Sequence, residues 1–338
     1  MQENWLQLID IFCPNKNYVL ATITDTRGAT YRKRGTMMLI EQNGHCTGLL
    51  SGGCLEADIS MHAEHVFESQ QSKLIQYDLK ADAQLLWGLG LGCEGEIDIL
   101  LLPLLVSNQH LGFADMLNAI AHRKTGLYCQ TVNDQARPQA HFVEQSLADI
   151  AQSYDHKREN NSEESAKQSQ LMIPVSVPIS VLICGAGPDV VPVVNMINQL
   201  GWRCSLWDHR AAYLEQADFA LCAEKKKTRP HQVHSEDFIG FDAAVVMTHN
   251  LTSDGEYLAH LLKTDISYIG LLGPEKRKYK LLEPLAEHAE TLTGRVYGPV
   301  GLDLGGRSPQ AIALSIVAQI QQHMTEQVQS TMVKPWLQ

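Results

Sequence analysis

The chain is expected to be an α/β protein, with a mixed α/β domain first and a doubly wound parallel sheet second. Three observations predict this. Beyond Pro178, short apolar runs rich in Val, Ile and Ala alternate with amphipathic segments, as in a sheet buried on both faces. A glycine turn, Gly185-Ala186-Gly187, separates one of these runs from the helix after it. Finally, the stretch 151–177 is charged, amide-rich and then proline-spaced, and its first part has no apolar face to bury. The expected division is a domain over 1–150, a linker over 151–177 and a second domain over 178–330.

Composition agrees with that reading. A length of 338 residues suits two domains of about 100–200 residues each. Hydrophobic residues at 44% and charged residues at 19% describe a globular chain, not a disordered or fibrous one. Twenty-seven basic against 38 acidic residues leave a net charge of −11. Bulk attraction to nucleic acid or an anionic membrane is therefore not expected, and any anionic ligand must be gripped locally. The longest apolar run, 97–106, contains Asp98 and falls far short of the ~20 residues that span a bilayer. The first residues lack the basic region and apolar core of a secretion signal. Eight cysteines without a CxxC pair are expected as free thiols in a reducing cytoplasm.

The elements follow in order. In the N-terminal part, periodicity predicts helices over 4–12, 55–70 and 113–122. Strands are expected over 18–25, 36–40, 73–78, 96–102, 125–132 and 139–144. A basic, turn-rich segment, 27–35, joins the first two strands, and Asn43-Gly44 makes a hairpin. In the C-terminal part, strands over 179–184, 204–208, 243–248 and 268–271 alternate with helices over 189–200, 253–262 and 274–290, and a last helix covers 309–323.

Several motifs carry chemistry. Gly185 and Gly187 follow an apolar strand and open a helix, the context of a Rossmann-like phosphate turn, although Val190 replaces the third glycine. Asp208 ends the next strand and is placed to accept from ribose hydroxyls. His249, in Thr248-His249-Asn250, falls at the carboxyl end of a strand, where it is either a ligand contact or acid/base group or a hydrogen-bonded loop histidine. Cations just inside the helix start at Gly273-Pro274-Glu275-Lys276-Arg277 mark either a bound anion or a solvated turn. In Ser51-Gly52-Gly53-Cys54-Leu55-Glu56, Gly52 and Gly53 leave backbone amides open to a ligand. Cys54 stands at a helix start, where the field favours a thiolate, and Glu56 is placed to cap amides or handle protons. Cys93 lies in a second glycine-rich turn, so Cys54 and Cys93 are candidate soft ligands for a metal or carriers of sulfur. His45, Cys46, Cys54 and Cys93 lack the paired spacing of a structural zinc site. Arg32, in the basic cluster of Arg27, Lys33 and Arg34, is the candidate anion contact.

Seven blocks in order resemble the XdhC/CoxI family, accessory proteins of molybdenum hydroxylases such as xanthine dehydrogenase. They are Arg27–Arg32 with Gly35, Ser51–Glu56, Gly92–Ile97, Gly185–Gly187, Thr248–Asn250, Tyr268–Gly273 and Gly298–Pro309. The sequence departs from the family pattern at Tyr31, where proline is common, at Glu94, at Asn250, where Asp is usual, and at Glu275-Lys276. The resemblance implies a chaperone without turnover of its own. Such proteins bind the molybdenum cofactor (molybdopterin), protect it while a cysteine desulfurase supplies its sulfide, and deliver it to the apo-hydroxylase. Cys54 or Cys93 would then hold molybdenum or carry sulfur, and the glycine loops with Arg32 would cradle the pterin phosphate. The Rossmann-like domain would hold the pterin or nucleotide end, or NAD(P). A homodimer is compatible with this organisation. The alternative is an NAD(P)-dependent oxidoreductase, with Asp208 on the ribose and His249 near the nicotinamide.

Overall fold

A computed structural model describes residues 4–78, 95–134, 136–146, 148–150, 170–288 and 294–331. The chain divides between Val177 and Pro178 into two compact units.

The first unit is built on an antiparallel sheet of order β3-β2-β1-β5-β4. Its strands are β1 (Tyr18–Arg27), β2 (Met37–Glu41), β3 (Cys46–Thr47), β4 (Lys73–Asp78) and β5 (Glu96–Leu104). Central β1 is buried on both faces from Tyr18 to Thr24. Alternation explains how. Val19, Ala21 and Ile23 face Ile59, Ala63 and Val66 of helix α2 (Glu56–Ser69). Tyr18 and Leu20 point the other way, to Trp5 and Leu8 of α1 (Trp5–Ile11) and Phe113 and Met116 of α3 (Phe113–Ala121). The register of β1 against β5 shifts between Ile23 and Asp25. Beyond that bulge Arg27 meets Glu96 at 2.7 Å, Asp25 at 3.2 Å and Asp98 at 3.3 Å.

A second antiparallel sheet of order β7-β6-β8 completes this unit, with β6 (Gly126–Thr131), β7 (Ala140–Glu144) and β8 (Gln170–Val175). Strand β8 corrects the expected linker over 151–177. Leu171, Ile173 and Val175 of β8 are buried on alternate positions, so the first unit runs to Val177 and does not end at 150. The prolines mislead because Pro174 sits on an edge strand, where the ladder does not need its missing N–H. The rest of that stretch, 151–169, lies outside the described residues.

The second unit holds a six-stranded sheet whose neighbours all pair in parallel. Its order is β11-β10-β9-β12-β13-β14. The strands are β9 (Ser180–Cys184), β10 (Arg203–Asp208), β11 (Glu224–Lys227), β12 (Ala243–Val246), β13 (Tyr268–Leu271) and β14 (Val296–Tyr297). Counted from β9 the order is 3-2-1-4-5-6, the doubly wound arrangement with its switch point between β9 and β12. Helices α4 (Val191–Gln199) and α7 (Pro309–Thr331) pack on one face. Helices α5 (Leu251–Leu261) and α6 (Glu275–Leu282) pack on the other. Among the described residues no helix is long and apolar enough to cross a membrane.

Candidate functional site

In the first unit the loop before α2 is tied to Glu56. One carboxylate oxygen accepts from the amides of Leu50 at 3.0 Å and Ser51 at 2.8 Å. The other accepts from the Ser51 hydroxyl at 2.5 Å and the amides of Gly53 at 3.0 Å and Leu55 at 3.2 Å. Gly52 and Gly53 adopt φ of 81° and 104°, which allows the chain to wrap this carboxylate. Burial pushes the Glu56 pKa up, but the Ser51 hydroxyl and the surrounding amides hold it below its ordinary value. Of the two glycine amides expected to be open to a ligand, that of Gly53 is therefore occupied by the protein's own carboxylate. Cys54 remains exposed, and nothing lies within 4 Å of where a side chain on Gly53 would begin.

Other motif blocks meet this loop. The Tyr31 ring lies 3.6 Å from where a Gly52 side chain would begin. A side chain on Gly95 would stand 2.6 Å from the Ala29 carbonyl and 2.8 Å from that of Arg27, so only glycine lets these segments pack so closely. Arg32 is half-buried in the same turn, and its carbonyl accepts from the Thr30 hydroxyl at 2.9 Å. The fold thus brings the basic turn against both the Cys54 loop and Gly95, which closes the second glycine-rich segment. Cys93 itself lies outside the described residues. Cys46 is half-buried, and burial, with the Glu56 charge, pushes its thiol pKa up. Among the described residues no group of three or more His, Cys, Asp or Glu is arranged to hold a metal ion.

In the second unit the glycine turn follows β9 as expected, but its contacts differ. Gly185, at φ 116°, would place a side chain 2.4 Å from the Met247 carbonyl, so it is required for packing against the end of β12. The side chain of Asp208 is almost fully buried. Its Oδ2 accepts from the Ala186 amide at 2.8 Å and Arg210 Nη2 at 2.7 Å. Its Oδ1 accepts from the Arg210 amide at 2.8 Å and Arg210 Nε at 2.9 Å. A carboxylate offers about four lone-pair positions, and these contacts fill them. Burial raises the Asp208 pKa, but the Arg210 side chain and the two amides bring it below the ordinary value. In this structure Asp208 is thus engaged by Ala186 and by Arg210, two residues on.

His249 lies just past β12 with φ 59°, a conformation unusual for a residue with a side chain. Its Nε2 is 2.9 Å from Oδ2 of Asp189. Beside it, the Asn250 side chain accepts from the Ser253 amide at 3.0 Å and caps α5. Thr248 is held by Asp254, which accepts from its amide at 3.2 Å and its hydroxyl at 2.5 Å. Asp254, buried, also accepts from Arg277 Nη2 at 2.5 Å. That pairing accounts for Arg277 at the start of α6 without a bound anion. Sequence reasoning missed Asp189, Asp254 and Arg210, whose roles depend on partners brought close by the sheet or on a turn.

Two cavities open at the carboxyl edge of this sheet. One, of about 260 Å³, is lined by Gly185, Asp208, Arg210, Asn250 and Tyr257. The other, of about 510 Å³, is lined by Asp189, His249, Leu272, Arg277 and Val300. Both draw on residues that follow β9 and β12, the strands that flank the switch point, where doubly wound sheets bind ligands.

Comparison with known proteins agrees with both halves. Residues 14–78 match the model of the XdhC and CoxI family, and residues 181–320 match the XdhC Rossmann domain. The chain is 30% identical over 313 residues to a probable xanthine dehydrogenase subunit of Bacillus subtilis, covering 89% of this chain and 92% of that one. This chain belongs to the XdhC and CoxI family. The XdhC-family chain is also 21% identical over 330 residues to the molybdenum cofactor insertion chaperone PaoD of Escherichia coli, covering 97% of this chain and 90% of PaoD. The crystal structure of a xanthine dehydrogenase from Bacillus halodurans matches the fold with a TM-score of 0.76 and 28% identity, over 97% of this chain and 98% of that one. The family blocks within 14–78 include the basic turn and the Cys54 loop, and the Rossmann match includes the glycine turn and His249.

Proposed function

We propose that this chain carries the molybdenum cofactor as cargo, protects it during sulfuration by a cysteine desulfurase, and inserts it into a cytoplasmic hydroxylase of the xanthine dehydrogenase type. The observation behind this reading is the packing of the basic turn, itself against Gly95, on a carboxylate-braced loop that leaves Cys54 exposed. A thiol is a soft donor suited to a sulfur-rich metal centre. Similarity to PaoD, named a molybdenum cofactor insertion chaperone, supports the same cargo. The cargo phosphate does not fit the amides of Leu50, Ser51, Gly53 and Leu55, because Glu56 takes them. The N-terminal unit would thus meet the metal end, with Cys54 and Cys93 as the candidate ligands.

The test is cofactor retention. The protein is co-expressed with an intact molybdenum-cofactor pathway and purified, and molybdenum and oxidised-pterin fluorescence are assayed. Wild type is expected to retain cofactor and a folded Cys54→Ser variant to lose it. Equal retention in both removes Cys54 from the site, and no cofactor on wild type overturns the carrier reading.

The second reading, an NAD(P)-dependent oxidoreductase, draws on the Asp189–His249 pair at the mouth of the larger cavity. It requires hydride transfer that survives Cys54→Ser.

A further inference from the structure

The smaller cavity of the Rossmann unit has the usual position of a ribose site but not the usual chemistry. An acidic residue at the end of the second strand ordinarily accepts from a ribose diol, whereas a nearby arginine accommodates a phosphate instead. Here Asp208 has no acceptor capacity left, because Ala186 and Arg210 fill it. The cavity wall is instead rich in donors. Arg210, Arg229, His209 and His231 line it. Trp207 also lines it, its ring packed against Phe238 and Phe241. Glu256 is the opposing carboxylate of the wall. At about 260 Å³ the space is smaller than pockets that enclose a whole small molecule, so it would receive a fragment of one.

We infer that this cavity binds a phosphomonoester borne on a sugar or a pterin side chain, and discriminates against the same ligand with a free hydroxyl in its place. Arg229 supplies the forked donors that such an oxygen-rich group needs, and Arg210, whose Nε and Nη2 are held by Asp208, adds its remaining N–H groups. The inference is independent of Cys54. It assigns the phosphate to the Rossmann unit, whichever molecule carries it.

The experiment is calorimetric titration of the full chain with two ligand pairs. The nucleotide pair is NADP⁺ and NAD⁺. The pterin pair is the oxidised fluorescent derivative of molybdopterin with and without its terminal phosphate. At least one phosphorylated member is expected to bind about tenfold or more tightly than its partner, as one charge-assisted contact of ordinary strength gives. Arg229→Gln, at an exposed position, is expected to remove most of that preference. Arg210→Gln also frees Asp208, so it is expected to weaken NADP⁺ while strengthening NAD⁺. Circular dichroism checks folding, and Arg229→Gln keeps the test decisive if Arg210→Gln does not fold. Preference in the nucleotide pair alone supports the cavity assignment and removes this cavity from the cofactor-carrier reading. Equal binding within both pairs, no binding of any member, or a preference untouched by Arg229→Gln overturns it.

Discussion

Glu56→Gln tests how the Cys54 loop is held. Glutamine keeps one acceptor oxygen and replaces the other with an N–H₂ group. If that oxygen retains the Leu50 and Ser51 amides, the new donors face the Gly53 and Leu55 amides, at 3.0 and 3.2 Å in the wild type. The Gly53 contact is then lost, while the Leu55 amide keeps its 2.8 Å bond to the Ser51 hydroxyl. A hydrogen bond to a charged group contributes about 1.5–3 kcal/mol, and partial exposure of the loop reduces this, so the loss is about 1–2 kcal/mol. For a unit of this size each kcal/mol moves the melting temperature by about 2–4 °C, giving a drop of about 2–8 °C at pH 7. The pH dependence has a definite sign. The folded pKa of Glu56 lies below its unfolded value, so its contribution is complete above the ordinary carboxylate range. It is lost as pH falls through the folded value. Glutamine has no such dependence, so the gap between variant and wild type closes in acid. Differential scanning calorimetry at pH 7 and at stepwise lower pH reads both effects. A variant melting within about 1 °C of wild type at pH 7, or a gap that stays constant in acid, refutes the brace.

Asp254→Asn leaves Arg277 without its charged partner in a largely buried setting and is expected to cost about 3–5 kcal/mol, read as a lower urea midpoint. Gly185→Ala, with a side chain 2.4 Å from the Met247 carbonyl at φ 116°, is expected to prevent soluble accumulation. Gly53→Ala has φ 104° but open space around it, so only conformational strain of about 1–2 kcal/mol is expected, measured by thermal melting. In native protein, maleimide labelling read by peptide mass spectrometry should modify exposed Cys54 faster than buried Cys129, Cys184 and Cys204. Comparable rates at all four would contradict the burial pattern.

The parallel sheet was legible because β9, β10, β12 and β13 are apolar runs, and alternation with helices allows few topologies. Strand β11 was not. Its sequence, Glu224-Lys225-Lys226-Lys227, has no apolar signal and is a strand by pairing with β10 at the sheet edge. Two-residue β14 is too short to show a period. Strand β8 was hidden by Pro174, which an edge position tolerates. At the sites, glycines and their turns were readable, since glycine announces a backbone conformation. The partners were not. Asp189 and His249 are 60 residues apart, and Asp254 and Arg277 are 23 apart, so no local pattern joins them.

One physical regularity links these misreadings. Glu56 takes the Leu50, Ser51 and Gly53 amides of the Cys54 loop, Asp208 takes the Ala186 amide together with Arg210, and Asp254 takes Arg277. In each place the protein supplies the anion that the motif was expected to draw from a ligand. A glycine turn therefore identifies amide geometry, and only the hydrogen-bond account identifies its occupant. After that account, the exposed Cys54 thiol is the soft donor in one unit, and the donor-rich cavity beside Arg229 is the phosphate candidate in the other. The two positions belong to different units, so their variants separate two models. If cofactor retention depends on both positions, Cys54→Ser and Arg229→Gln each reduce it. If they hold separate ligands, the retention loss follows Cys54 alone, while Arg229→Gln changes only nucleotide affinity.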